Sequence, residues 1–270
     1  VAPTIVPLDS ANVSAFVDTY FMRRPVVFRG LGATMPAYTK WTDAYLAAAF
    51  EGVSHLATLP DERRARMRLV DYLEYLGHPQ SFASSVGPVY MTDVYLRPSV
   101  LGERLDALEP DARCPLPRPG VWAERVTIYM GTPRTGAALH QDIFDTQSWM
   151  AQIRGRKHWR LCAPETEWTA CARPVDLFAS TDVTATIYDV VLGPGDVLYV
   201  PARWWHQIRN DEANIAVAGH FSTMAEARAA LAAAEADPDP QTRAEWPPLW
   251  QKILALHGHA EAPPGAVGAA

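Results

Sequence analysis

Between residues 124 and 221 the chain passes through eight short β-like stretches with no helical stretch between them. They fall at 124–131, 137–142, 147–154, 157–163, 186–192, 196–201, 204–209 and 213–221, and Gly, Pro, Asp or Asn bounds each one. Many short strands in succession, punctuated only by turns, indicate an antiparallel sandwich or barrel. Eight of them suit a double-sheet jelly roll.

The flanks read differently. Helices are expected over 9–21, with Asp9 or Ser10 as cap, over 41–50 with Thr42 as cap, over 65–78 and over 99–108. Short β-rich runs are expected at 24–30 and 88–96. A Pro-rich loop, 110–120, leads into the strand region. After Ser222 the pattern is helical again, with a break expected at Pro247-Pro248, and the end of the chain is rich in Ala, Pro and Gly. The expected architecture is mainly β with flanking helices. An N-terminal α/β elaboration (1–110) precedes a jelly-roll core (111–222). A C-terminal helical segment (223–262) and a disordered tail (263–270) follow. The C-terminal helices are candidates for closing one end of the barrel or for a homodimer interface through 223–257.

Composition narrows the function. With 49% hydrophobic and 20% charged residues, 270 residues can bury a real core. The net charge of −6 and the lack of a clustered basic patch argue against nucleic-acid binding. No apolar run is long enough to span a bilayer and no signal peptide is visible, so a cytoplasmic protein is expected. Cys114, Cys162 and Cys171 have no metal or redox spacing; reduced thiols are the simplest reading, with a Cys162–Cys171 pair left open.

Chemistry enters at "LHQD", 139–142. His140 and Asp142 are two residues apart, and on extended chain they face the same way. By itself the pattern is weak. With 8 His and 30 acidic residues, chance supplies about one such pair. A second pair, His259 and Glu261, sits in the tail. Context lifts the first pair. It lies at the end of an expected strand, and "GPGDVLYVPARWWHQIRN", 193–210, brings a third candidate, His206. Two His and one carboxylate on one face of an octahedral metal leave three positions open, the arrangement of non-haem Fe(II) oxygenases, although Zn, Mn, Co and Ni are also accepted. The plain alternative is polar turn residues in a β domain.

Four stretches taken together, "RPVVFRGL", "GTPRTGAALHQD", "SWMAQIRGRKHWRLCAPE" and "GPGDVLYVPARWWHQI", resemble the JmjC-type, cupin-like family of Fe(II)- and 2-oxoglutarate-dependent oxygenases, in particular its asparaginyl-hydroxylase-like branch. The resemblance runs from about residue 9 to residue 221. It implies a double-stranded β-helix core, with Fe(II) held by His140, Asp142 and His206. It also implies that 2-oxoglutarate and O2 are consumed in hydroxylation. In the family, a Lys after "QI-x-G-x" binds the distal carboxylate of 2-oxoglutarate; here that residue is Lys157, one of only three Lys beside Lys40 and Lys252. The bland reading is a surface Lys snorkelling beside Arg154 and Arg156. Tyr129 is a candidate donor to the same carboxylate. The chain departs from the family at Ala137, where many members carry Thr, and at His220, where relatives often carry an aromatic residue. His220 and Trp205 are candidate pocket-lining residues, and barrel wall is the plain reading of Trp149, Trp159, Trp204 and Trp205. The substrate implied is an amino-acid side chain of a protein or peptide, lying across the barrel mouth against 85–97. A natural product or free amino acid is the rival. From another class, a non-catalytic metal-binding cupin acting as sensor or scaffold stays open.

Overall fold

The computed structural model describes residues 5, 7–9, 13–60, 63–82, 87–96, 105, 107–113, 115–116, 122–166, 168, 175–179 and 185–257. Cys114, Cys171, Ser10, His259, Glu261, the tail 263–270 and most of the helix expected over 99–108 lie outside these residues.

The strands are β1 (Val26–Phe28), β2 (Ser54–Thr58), β3 (Arg64–Arg68), β4 (Tyr90–Tyr95), β5 (Trp122–Gly131), β6 (Gly136–His140), β7 (Gln147–Arg154), β8 (Lys157–Cys162), β9 (Tyr188–Leu192), β10 (Val197–Val200), β11 (Trp205–Asn210) and β12 (Asn214–Thr223). The helices are α1 (Val13–Ala15, continued by a π-helical turn, Phe16–Tyr20), α2 (Pro36–Lys40), α3 (Asp43–Ala49), α4 (Leu69–Gly77), α5 (Pro79–Phe82), α6 (Met224–Ala236) and α7 (Pro240–His257). Strands β5–β12 are the eight expected from the sequence. They divide evenly between two antiparallel sheets, which is the jelly-roll core. One sheet has the order β1-β10-β7-β12-β5-β4-β2-β3 and the other β6-β11-β8-β9. The large sheet thus continues past the core strands into β1 at one edge and β4, β2 and β3 at the other.

Period-two alternation sorts its side chains between two cores. On β7, β10 and β12, Trp149, Ala151, Val197, Tyr199, Ile215 and Val217 pack outward against the N-terminal helices. Met150, Leu198, Val200, Ala216 and Ala218 point between the sheets, where Trp159, Leu161 and Ile208 meet them. A sheet covered on both faces reads as a continuous apolar run rather than an alternating one, which is why β7 is buried from Gln147 to Ile153. Each large apolar side chain so buried contributes about 1.5–3 kcal/mol. The alanines of β12 leave space between the sheets, and the site occupies it.

Local signals explain the starts of two helices. Thr42 caps α3 by accepting from the Tyr45 N–H, as expected. Thr223 and Glu226 form a reciprocal capping box on α6. Two expectations are corrected. Residues 65–68 belong to strand β3, not to a helix: Arg64, Arg66 and Arg68 are exposed while Ala65 and Met67 turn inward, and the ladder to β2 claims them. The expected break at Pro247-Pro248 does not occur, and α7 runs through both prolines. Packing of Leu249, Trp250 and Ile253 onto Ala227, Ala230 and Ala234 of α6 outweighs the two missing N–H donors. This hairpin spends its apolar face inside the molecule. Among the described residues no helix is long and apolar enough to cross a membrane.

Candidate metal centre

His140 ends β6 and His206 sits near the start of β11, directly opposite in the ladder between them. Their rings are 4.2 Å apart between centroids. Asp142 follows in extended conformation, so the two-residue alternation carries past the strand end and its carboxylate joins the imidazoles. Its Oδ1 lies 3.8 Å from His206 Nε2. Among the described residues these three bring one ligand atom each to within 4.8 Å of one another.

The atoms around them prepare this cluster for a cation. His140 Nδ1 is 2.7 Å from the Ala138 carbonyl and His206 Nδ1 is 3.0 Å from the Trp204 carbonyl. A carbonyl can only accept, so both Nδ1 atoms donate, which leaves Nε2 as the ligating atom of each ring. Ser148 donates its hydroxyl to Asp142 Oδ2 at 3.0 Å and leaves Oδ1 for the centre. Burial draws His206 down to about 4, against the pull of Asp142, so the imidazole is neutral at physiological pH. Burial alone would push the Asp142 carboxyl up. The imidazoles of His220, His206 and His140 and the Ser148 hydroxyl outweigh it and hold the carboxyl below its usual value. Two imidazoles and one carboxylate, fixed by hydrogen bonds behind them, fit a divalent transition metal.

A cavity of about 310 Å³ opens on this cluster, lined among others by Tyr90, Asp93, Arg125, Tyr129 and His220. Trp159 stacks on the His206 ring at 5.6 Å and Ala137 lines the wall where a hydroxyl was expected from the family. His220 lines it too. Its Nδ1 is 3.6 Å from Asp142 Oδ1 and its Nε2 is 3.2 Å from the Tyr129 hydroxyl. Trp205 is corrected. Alternation along β11 turns His206 and Ile208 inward and Trp205 outward, where it meets Trp168 edge-on at 5.9 Å.

Lys157 is not a surface lysine. It shares the inner face of β8 with Trp159 and Leu161 and is fully buried. Its Nζ donates to the Tyr90 hydroxyl at 3.0 Å and lies over the rings of Tyr90 and Tyr129. Burial lowers its pKa to about 7. Tyr129 offers Lys157 its ring face, while its hydroxyl donates to Asp93 Oδ1 at 3.2 Å. The hydroxyl beside the ammonium is that of Tyr90.

Tyr90, Asp93, Arg125 and Ser148 were not singled out in the sequence. Arg125 had a signal, since it shares its parity on β5 with Tyr129. Ser148, His220 and Arg125 form one row across β7, β12 and β5, a register invisible before the strands are paired.

Comparison with known proteins agrees with this architecture. The cupin-like domain family matches residues 13–227. The chain belongs to that family. Curated relatives of this cupin-like chain carry JmjC-type names. Lysine-specific demethylase JMJ21 of Arabidopsis thaliana is 25% identical over 238 residues, covering 78% of this chain and 24% of that protein. The bifunctional arginine demethylase and lysyl-hydroxylase psr-1 of Caenorhabditis elegans is 25% identical, over 75% of this chain and 56% of that protein. The 2-oxoglutarate and iron-dependent oxygenase JMJD4 of Gallus gallus is 29% identical over 48% of this chain and 31% of that protein. The cupin-like chain therefore spans only about a quarter to just over half of the length of these relatives.

Proposed function

We propose that the protein is an Fe(II)- and 2-oxoglutarate-dependent oxygenase that hydroxylates an amino-acid side chain of a protein or peptide. The observation that carries this reading is the pairing of two features in one barrel: a converging His140, Asp142 and His206, and a buried cation at Lys157. His140, Asp142 and His206 would hold the metal through two Nε2 atoms and Oδ1. Lys157, with the Tyr90 hydroxyl, would hold the distal carboxylate of 2-oxoglutarate. A buried ammonium needs an anion, and a dicarboxylate supplies one. When bound, iron with 2-oxoglutarate and O2 supplies an oxidant for an unactivated C–H bond, and 2-oxoglutarate leaves as succinate and carbon dioxide. The chain's own contribution is placement. Trp159, Met150 and Val200 keep the centre dry, and Ser148 with the two backbone carbonyls fixes the ligand orientation.

Support for a protein substrate comes from the relatives, whose names denote chemistry on lysine and arginine. A cytoplasmic site of action is part of the same proposal; Cys162 is buried and, among the described residues, unpaired.

The test is anaerobic. Fe(II) followed by 2-oxoglutarate should produce a visible metal-to-ligand charge-transfer band. Lys157→Ala should lose the band at matched 2-oxoglutarate, and Asp142→Ala should lose metal binding and all coupled turnover. Metal binding without any band, or full activity in Asp142→Ala, would refute the reading.

A further inference from the structure

Beyond the metal cluster, the cavity is lined by two charged side chains with no assigned task. They are Asp93 on β4 and Arg125 on β5.

Asp93 is in the cavity because the strand is bent to put it there. Along β4 Tyr90 and Thr92 face the cavity, and Met91 and Val94 face the outer core. Strict alternation would send Asp93 outward. Instead the ladder to β5 shifts register between Met91 and Val94. Asp93 is the extra residue of that bulge, with φ at +59°. Two successive side chains therefore enter the cavity. A non-glycine residue in the left-handed region is strained and persists only where its surroundings hold it. Bulges of this kind re-aim a side chain beside a functional site.

Arg125 is directly opposite His220 in the β5–β12 ladder. Its guanidinium rests over the Tyr95 ring at 5.1 Å. Its Nε is buried with no hydrogen-bond partner among the described residues. No described carboxylate pairs with Arg125, and no described cation pairs with Asp93. Asp93 accepts only a neutral hydroxyl, that of Tyr129.

Charge decides what these two residues await. A divalent metal, Asp142, the two carboxylates of 2-oxoglutarate and Lys157 cancel one another. Asp93 and Arg125 remain, one of each sign, facing one partly desolvated space and not bonded to each other. Charges in such a place need opposite partners. The ligand that satisfies both carries one positive and one negative group.

We propose that Asp93 and Arg125 are the substrate-recognition pair, and that the substrate presents a cationic donor to Asp93 and an anionic group to Arg125. The inference rests on the oxygenase reading above and gives it a substrate class. Two sources share this chemistry: a free α-amino acid, with its ammonium and carboxylate, and a peptide with a basic side chain beside an acidic one.

The test uses the full chain with Mn(II) and 2-oxoglutarate bound, and titration calorimetry. One panel holds the free L-amino acids with their N-acetyl and carboxamide derivatives. The other holds end-capped peptides with Lys or Arg beside Asp or Glu, and the same peptides with either charge neutralised. A doubly charged probe should bind, and loss of either charge should weaken it roughly tenfold or more. Asp93→Asn should abolish the discrimination at the cationic end only, and Arg125→Gln at the anionic end only. Asn keeps the acceptor for Tyr129, so 2-oxoglutarate binding should persist in Asp93→Asn. Asp93→Gly, which relaxes the left-handed residue, should hold or raise Tm while losing the same discrimination. Which panel binds identifies the source. The pair is refuted by equal binding of charged and neutral probes, by wild-type discrimination in the variants, or by no binding in either panel while 2-oxoglutarate binds normally. Failure of 2-oxoglutarate itself to bind would instead strike the oxygenase reading, and the substrate pair would fall with it.

Discussion

Lys157 is a buried cation whose described companions are all neutral. Burial brings its pKa from 10.5 to about 7. The groups that face it, the Tyr90 hydroxyl and the Tyr129 ring, are themselves pushed up by burial and stay neutral across this range. Between about pH 7 and 10.5 the unfolded chain therefore holds a proton that the folded chain lacks. Folded stability rises with pH through that window, and below it the destabilisation is complete and constant. Lys157→Met should accordingly raise the Tm of the ligand-free protein at pH 7, by a gain that shrinks toward pH 10. A gain equal at both pH values would show that the ammonium is not desolvated as described. Binding of a dicarboxylate should restore the charge. Calorimetry of 2-oxoglutarate binding at pH 8, in buffers of different ionisation heat, should then report uptake approaching one proton. Affinity should fall as pH rises above 7, by up to about tenfold per unit. No uptake at pH 8 would place the distal carboxylate elsewhere.

The turn between β6 and β7 ties the metal cluster to the C-terminal hairpin. Phe144 and Asp145, just past Asp142, both have positive φ, 54° and 52°. Such residues persist only where neighbours hold them. The Phe144 ring meets Trp246 edge-on at 5.1 Å and Trp250 at 5.6 Å, both on α7. Phe144→Ala should loosen Asp142 and weaken Mn(II) binding by about tenfold, with Phe144→Leu intermediate and the proposed 2-oxoglutarate anchor at Lys157 untouched. Unchanged metal affinity in Phe144→Ala, measured by calorimetry, would separate the hairpin from the centre. None of this was legible in the sequence, because the contact joins residues about a hundred positions apart. Strands β5–β12 were legible, since each is a short β-rich run closed by a turn, with no helical stretch between one and the next. Lys157 could be read inward from its alternation with Trp159 and Leu161. The same rule, applied to "WWHQ", places Trp204 and His206 on one face and Trp205 on the other. The misread elements share a different cause. β3 and the Pro247-Pro248 stretch are decided by partners elsewhere in the chain, and Asp93 breaks the very alternation that the other strands obey.

At the scale of the whole molecule, the smaller sheet carries both His140 and His206 on one paired ladder, while Asp142 stands on a turn outside it. The N-terminal elements cover the outer face of the large sheet and the α6–α7 hairpin clasps the turn, so each flank stabilises a different part of one centre. Ligands that bind only the folded chain should then raise its stability by separable amounts. Mn(II) at a hundred times its Kd contributes about 2.7 kcal/mol, which for a domain of this size is about 5–10 °C in Tm. 2-Oxoglutarate should add a second increment, and only when the metal is present, because its other end needs the centre. Lys157→Met should keep the first increment and lose the second. Phe144→Ala should shrink the first and, with metal saturating, keep the second. Thermal unfolding of the three proteins with each ligand alone and both together measures all of these. If 2-oxoglutarate stabilises the metal-free protein as strongly as the metal-loaded one, the anion and the metal occupy independent sites, and the barrel does not join them in one reaction.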